Sequence, residues 1–247
     1  MRRGGNSARA RLRRMLKALP GARGMALWVR RTFIPHYREI HRLRRAEAEQ
    51  LLQPYPTTGE DRYPEVFDEL ARLLKKLPCP QILSFGCSSG AEVRALRRRM
   101  PHARIVGIDL NRRMIAQARA ADPAHAEDYR SAGAPEPGER FDAVLAMAVF
   151  RHGDLEFHRP ETCSAILPFA RFEKGLALLD QHLNSGGWLA LFNQQFRFAD
   201  CTLAPRYGVE PLRMAEHQAL HLLYGPDDRR IAGTSVTEVL FRKQADG

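Results

Sequence analysis

The apolar positions of the chain fall into alternating rhythms from about residue 64 onward. Val66, Phe67, Leu70, Leu73 and Leu74 recur at helical spacing up to Leu77, and Pro78 and Pro80 stop that run. Gln81–Phe85 is a short apolar stretch that predicts a strand. Helix is predicted over 90–100, with Pro101 beyond it, and strand over 103–110. Arg112–Ala121 then predicts a helix with Asn111 at its N-cap. A faintly marked strand is expected over 127–131 and a strong one at Phe141–Met147. Next come a helix over 172–183, ended by Asn184-Ser185-Gly186-Gly187, and a strand over 188–192. A last strand, alternating apolar and polar, is expected over 234–242.

Strands that alternate with helices over so long a stretch predict an α/β fold: a doubly wound, mostly parallel sheet. Such sheets bind ligands outside the carboxyl ends of their strands. The loops after Phe85, Ile108 and Met147 are therefore the places to look for chemistry.

The first fifty residues have a different pattern. Residues 1–19 set Leu12, Met15, Leu16 and Leu19 among arginines, which on a helix gives a narrow apolar stripe and a basic face; Pro20-Gly21 ends it. A second basic helical stretch is expected over 25–52, interrupted near Pro35, and 53–59 reads as a linker. The predicted organisation is a basic helical N-terminal arm and linker at 1–55, followed by one domain at 56–247.

Charge sharpens this division. Residues 1–45 hold fourteen Lys/Arg against the single acid Glu39, a balance of +13, while the remaining residues hold 25 Lys/Arg and 27 Asp/Glu, a balance of −2. The arm therefore suits an anionic partner such as a nucleic acid, a membrane surface or an acidic protein, and the body is nearly neutral. Cys79, Cys87, Cys163 and Cys201 form no C-x-x-C pair, so neither a structural metal site nor a disulfide framework is expected. With no secretory leader and no transmembrane segment legible, the expected location is cytoplasmic.

Two loops carry the candidate chemistry. Phe85-Gly86-Cys87-Ser88-Ser89-Gly90 joins a strand to a helix through small residues, so a ligand can approach the backbone closely and meet a helix N-terminus. Asp109 ends the next strand, 19 positions after Gly90, where a carboxylate can accept two hydrogen bonds from the vicinal hydroxyls of a ribose. Met147 closes the third strand and would line the floor beside them. A dinucleotide fingerprint requires glycine where Ser88 stands, which counts against a dehydrogenase.

In order and spacing, residues 82–93, 106–119, 141–152 and 176–192 resemble the successive motifs of the class I S-adenosylmethionine-dependent methyltransferases. The resemblance implies a Rossmann-like seven-stranded sheet and S-adenosyl-L-methionine as cofactor. It further implies that Gly86, Cys87, Ser88 and Gly90 meet the amino-acid part of that cofactor and that Asp109 binds the ribose. Leu110 and Asn111 would lie against the adenine, and Ser131 would complete its pocket. The loop Gly86–Glu92 is also similar to that of chemotaxis-receptor glutamate methyltransferases, although the Cys-Arg-Asn element typical of them is absent.

The acceptor side is marked less clearly. The Asn/Asp-Pro-Pro-aromatic segment used for amino-group methylation is replaced by Met147-Ala148-Val149-Phe150-Arg151-His152. His152 is the candidate general base, with a surface histidine as the plain alternative; Asp154, Glu156 and His158 lie near it. Tyr55, Arg62 and Tyr63 suit a lid over the cofactor. Arg197, Arg206 and Tyr207 suit contacts to an anionic acceptor. The expected reaction is methylation of a hydroxyl or carboxyl on a small molecule or glycan. RNA methylation through the basic arm, protein carboxyl methylation and a non-catalytic docking protein stand as alternatives.

Overall fold

Element boundaries follow the apolar rhythm closely where packing is continuous. In the computed structural model, residues 34–56, 58–212, 214, 222–232 and 236–245 are described. The chain divides into two units, 1–46 and 47–247. The helix expected over 1–19 lies outside the described residues. In the first unit, α1 runs Pro35–Ala46. Pro35 stands at the first position of this helix, where its missing N–H is no loss, and the part of the expected stretch at 25–33 lies outside the described residues.

In the second unit α2 (Pro64–Leu74), β1 (Gln81–Phe85), α3 (Ala91–Arg99), β2 (Arg104–Ile108) and α4 (Arg112–Ala121) follow in order. Then come β3 (Tyr129–Arg130), β4 (Phe141–Met147), α5 (Gly153–His158), α6 (Phe169–His182) and β5 (Leu183–Phe192). β6 (Tyr207–Glu210), β7 (Leu223–Tyr224), β8 (Arg230–Ile231) and β9 (Leu240–Lys243) complete the described elements.

The main sheet has seven strands in the order β3-β2-β1-β4-β5-β9-β6. The first five are parallel, β9 runs antiparallel to β5, and β6 runs antiparallel to β9. This is the doubly wound, mostly parallel arrangement expected. Both faces are covered, and the strand residues alternate between two cores. Leu83, Val144, Ala146, Leu189 and Leu191 join Phe172, Leu176 and Leu179 of α6 on one face. Ile82, Ala143, Leu145 and Ala190 join Val66, Phe67 and Leu70 of α2 and Leu96 of α3 on the other.

Several elements depart from the expectations. β5 begins at Leu183, not 188. Phe141 pairs with Leu183, the register then shifts, and Ala143 pairs with Trp188, so Asn184-Ser185-Gly186-Gly187 is looped out within the strand instead of ending an element. The short helix α5, the edge strand β6 and the β7–β8 hairpin were not expected. The final strand is confined to Leu240–Lys243, and 233–235 lie outside the described residues. Arg206 and Tyr207 do not reach an acceptor region. Arg206 Nη1 and the Tyr207 hydroxyl both bond the Asp180 carboxylate, at 3.0 and 2.7 Å, beside the buried Lys243. That cluster sits at the amino end of β5, away from the carboxyl edge.

Candidate functional site

The sheet order reverses between β1 and β4, and the connections leaving their carboxyl ends diverge to opposite faces, opening a crevice. A cleft lies there, lined by Gly86, Cys87, Ser88, Glu92 and Met147 together with Thr58, Gly59, Arg62, Tyr63 and Phe67. Among the described residues, no three His, Cys, Asp or Glu side chains are grouped to hold a metal ion.

The β1–α3 loop is shaped from behind. Gly86 and Gly90 adopt φ of 73° and 76°, in the left-handed region that favours glycine. A Cβ on Gly86 would lie 2.6 Å from Val149 Cγ2, and one on Gly90 2.7 Å from Tyr129 Cε1. Tyr129 is fully buried, with its hydroxyl donating to Asp122 at 2.8 Å, so it cannot easily give way. The amides of Gly86 and Cys87 both donate to Ile108 O, at 2.8 and 3.0 Å, and the Gly90 amide donates to Cys87 O at 3.0 Å. The Ser88 amide donates to Asp109 Oδ2 at 2.9 Å. These four N–H groups, which the sequence would offer to a ligand, instead knit the loop to β2 and to itself.

Side chains therefore present the polar groups to the cleft. The Ser88 hydroxyl is buried with no partner. Ser88 itself sits at φ 51°, a strained conformation for a residue with a Cβ. Glu92, on the first turn of α3, accepts a hydrogen bond from the Ser84 hydroxyl at 2.7 Å. Burial raises its carboxyl to about 7, against the lowering effect of that hydrogen bond. Cys87 lines the cleft but its thiol is buried, and burial, with Asp109 and Glu92 nearby, pushes its pKa upward.

Asp109 stands at the β2 end as expected and acts as a brace. Besides Ser88 N–H, it accepts the Asn111 amide on Oδ1 at 2.7 Å. Burial raises its pKa, opposed by these two bonds. Asn111 caps α4 by accepting the Met114 amide at 3.1 Å. Leu110 lies where the loops after β2 and β3 meet: a Cβ on Gly133 would be 3.2 Å from Leu110 Cδ2 and still closer to the Gln50 amide. Ser131 is exposed, and the neighbouring Ala132 amide donates to Asp109 O at 3.2 Å.

The ends of β4 and β5 are built differently. Ala148 and Asn193 follow the paired residues Met147 and Phe192, and both adopt left-handed backbone, φ 58° and 60°. Past them side chains interlock. Arg151 donates to Asn193 Oδ1, and Asn193 Nδ2 donates to the Tyr63 hydroxyl at 3.4 Å. Arg151 Nε and Gln195 Nε2 both donate to Glu156 Oε1, at 3.1 and 3.2 Å. The His152 amide donates to Gln195 Oε1 at 2.9 Å. The His152 side chain is buried at the start of α5, where its Nδ1 accepts the Asp154 amide at 3.2 Å. From the preceding segment, Gln53 Nε2 donates to Arg151 O, the Tyr55 hydroxyl donates to Asp154 Oδ1 at 2.5 Å, and Tyr63 packs edge-on against Phe192.

The structure thus brings Gly86, Cys87, Ser88 and Met147 around one cleft and ties Asp109 to it through Ser88. It sets Leu110, Asn111 and Ser131 along the neighbouring loops, and His152 beyond β4. Sequence reasoning did not single out Glu92 or Tyr129. Glu92 has a local signal, being an acid in the first turn after a glycine loop; Tyr129 has none, because its role arises from packing under Gly90.

Residues 82–167 match the family described as "Methyltransferase domain". A stretch of 90 residues is 39% identical to a ubiquinone biosynthesis O-methyltransferase of Bradyrhizobium diazoefficiens, covering 35% of this chain and 35% of that protein. A ubiquinone biosynthesis O-methyltransferase of Rhodopseudomonas palustris matches to the same extent. The chain thus spans about a third of the length of these curated relatives. Among solved structures, the plantazolicin methyltransferase BpumL in complex with SAH is similar at 18% identity and a TM-score of 0.40, covering 67% of this chain and 56% of that one.

Proposed function

We propose that the chain is a class I S-adenosylmethionine-dependent methyltransferase that transfers a methyl group to a hydroxyl of a small molecule; the match of residues 82–167 to the methyltransferase domain supports this. The observation that carries this reading is the cleft at the β1–β4 switch, where the unpartnered Ser88 hydroxyl and the raised Glu92 carboxyl face a common space above Met147. Those groups fit S-adenosylmethionine: a buried hydroxyl without a partner and a carboxylate suit the amino-acid end, and an apolar floor suits the rest. Bound there, the cofactor supplies a methyl group activated by a sulfonium centre.

In this reading Glu92, ionised, pairs with the ammonium of the cofactor, and Ser88 Oγ hydrogen-bonds its carboxylate. Asp109 accepts the ribose hydroxyls, giving up or sharing the bonds from Ser88 and Asn111. Leu110, Asn111 and Ser131 border the adenine, with Gly86, Cys87 and Gly90 supplying the close backbone wall. Methyl transfer is an in-line displacement, so the chain's main task is to align the acceptor and keep water out.

His152 has a constrained part in this. While Nδ1 accepts the Asp154 amide it carries no proton, and the neutral ring then holds its proton on Nε2. In that state Nε2 can donate a hydrogen bond but not accept one; taking a proton as general base requires the bond to Asp154 to open. The absence of the amino-methylation segment and the O-methyltransferase names of the matched relatives support a hydroxyl acceptor over an amino group. The test is incubation with methyl-labelled cofactor and separate pools of phenols and catechols, glycans, carboxylic acids and RNA. Label is expected in the hydroxyl pools; label confined to RNA, or to no pool, overturns the proposal.

A further inference from the structure

The chain divides into two units at residue 46, and its charge divides at the same place. Fourteen Lys/Arg, thirteen of them arginine, stand against the single acid Glu39 on one side; Glu47 and Glu49 follow at once on the other. α1 belongs to the described part of the first unit. Its Ile40 and Leu43 are buried, while Arg38, Arg44 and Arg45 are exposed. Helical spacing sets Tyr37 on the face of those arginines, and Ile34 stands just before the first turn; each of these two is 41% exposed. One solvent-facing side thus mixes cations with apolar groups. The sequence ahead of it has the same mixture. Leu12, Met15, Leu16 and Leu19 recur at helical spacing among Arg11, Arg13, Arg14 and Lys17, and Leu27-Trp28-Val29 runs directly into Arg30-Arg31.

We infer that the first unit is a docking surface for an anionic lipid bilayer, its arginines pairing with headgroup phosphates and its apolar residues entering the boundary with the acyl chains. Two features choose this partner. The charge selects an anion, and arginine pairs with phosphate through two parallel hydrogen bonds. The interleaved aliphatic residues select lipid. A nucleic acid would satisfy the cations and offer bases for aromatic rings to stack on, but Leu12, Leu16, Leu19 and Ile34 would find nothing apolar in a phosphate backbone. A bilayer surface takes both kinds of group at once, and this is the composition of helices that lie in the interface plane. The unit would rest on the surface and not cross it. The longest unbroken apolar run of the arm is Met25–Val29, and no described helix is long and apolar enough to span a membrane. The inference is independent of the acceptor proposed for the cleft.

The experiment adds the full chain to vesicles of phosphatidylcholine alone, to vesicles of equimolar phosphatidylcholine and phosphatidylglycerol, and separately to a single-stranded RNA, each at low and high salt. Sedimentation measures partitioning. Tryptophan emission reports depth, since Trp28 lies in the arm while Trp188 is buried in the sheet. The wild type is expected to partition onto the anionic vesicles at least about tenfold more than onto the neutral ones, with loss at high salt and a blue shift of Trp28 emission. The triple variant Leu12→Ser, Leu16→Ser, Leu19→Ser keeps every charge and removes the apolar stripe. It is expected to lose about tenfold or more of that partitioning, with thermal unfolding unchanged. Equal partitioning of the wild type onto the two kinds of vesicle overturns the proposal. So does partitioning that survives in the triple variant, because the contact is then one of charge alone. RNA binding that is tighter than vesicle binding and undiminished in the triple variant makes the arm a nucleic-acid surface, and overturns it too.

Discussion

The carboxyl edge of this sheet has two halves made by different means. At β1 and β2, backbone holds the shape: amides of the Gly86–Gly90 loop bond Ile108 O and the Asp109 carboxylate, and the glycines are pressed against Val149 and Tyr129. At β4 and β5, side chains hold it, through Arg151, Glu156, Asn193 and Gln195, above two strained residues. A backbone-built site depends little on which side chains surround it, and so suits a ligand that never changes. A side-chain network is rebuilt by substitution, and so suits a partner that differs between enzymes of one fold.

Substitutions in each half test this contrast. The largest effect is expected for Gly90→Ala, which combines left-handed strain with a contact against the buried Tyr129 ring. It should destabilise the fold by roughly 2–4 kcal/mol, read from urea unfolding. A loss under about 1 kcal/mol would show that the loop is softer than its packing implies. Next, Asp109→Ala should weaken S-adenosylhomocysteine binding by more than about tenfold, since two hydrogen bonds to a carboxylate are lost. Asp109→Asn, which keeps the size and one oxygen, should lose less; unchanged calorimetric affinity in both would remove the ribose assignment.

A smaller effect is expected with pH at Glu92. Its carboxyl titrates near 7 because of burial, so below that pH a proton must leave before an ammonium can be paired. Cofactor affinity should therefore fall as pH drops below 7, by up to about tenfold per unit, with proton release on binding visible in buffers of different ionisation enthalpy. The stability linkage has the opposite direction. The folded pKa is raised above the ordinary value of 4.5, so the contribution of Glu92 to stability is full below 4.5 and is lost as pH rises through 7. Glu92→Gln should abolish both trends. The smallest effect belongs to the acceptor half. Ala148→Gly relieves left-handed strain and should raise stability by about 1 kcal/mol while leaving S-adenosylhomocysteine affinity unchanged. A fall in stability would mean that the alanine methyl contributes more through packing than its backbone costs.

What could be read from sequence follows the same boundary. Gln81–Phe85, Arg112–Ala121 and Phe141–Met147 emerge with their expected ends: the two strands are buried apolar runs, the first set between Pro80 and Gly86, and the helix is opened by its Asn111 cap. β6 was hidden since Tyr207 is its one buried position and Val209 is exposed, so no two-residue alternation develops. In β5 the Gly186-Gly187 pair imitates a terminator, and only the pairing of Leu183 with Phe141 across the sheet reveals a bulge. Asp109 could be found from its distance to Gly90. Tyr129 could not, since its position under that glycine is a fact of tertiary packing.

The strand order has one consequence for how the molecule is assembled. β9, at residues 240–243, lies between β5 and β6 and is synthesised after both. Until residues 240–243 dock, Trp188, Leu189 and Ala190 have no ladder partner on that side, and Tyr207–Glu210 has no sheet to join. Any state of the chain with β9 undocked thus carries an open apolar edge, a hazard for pairing with other chains. The sheet closes from the inside, with its central piece arriving last.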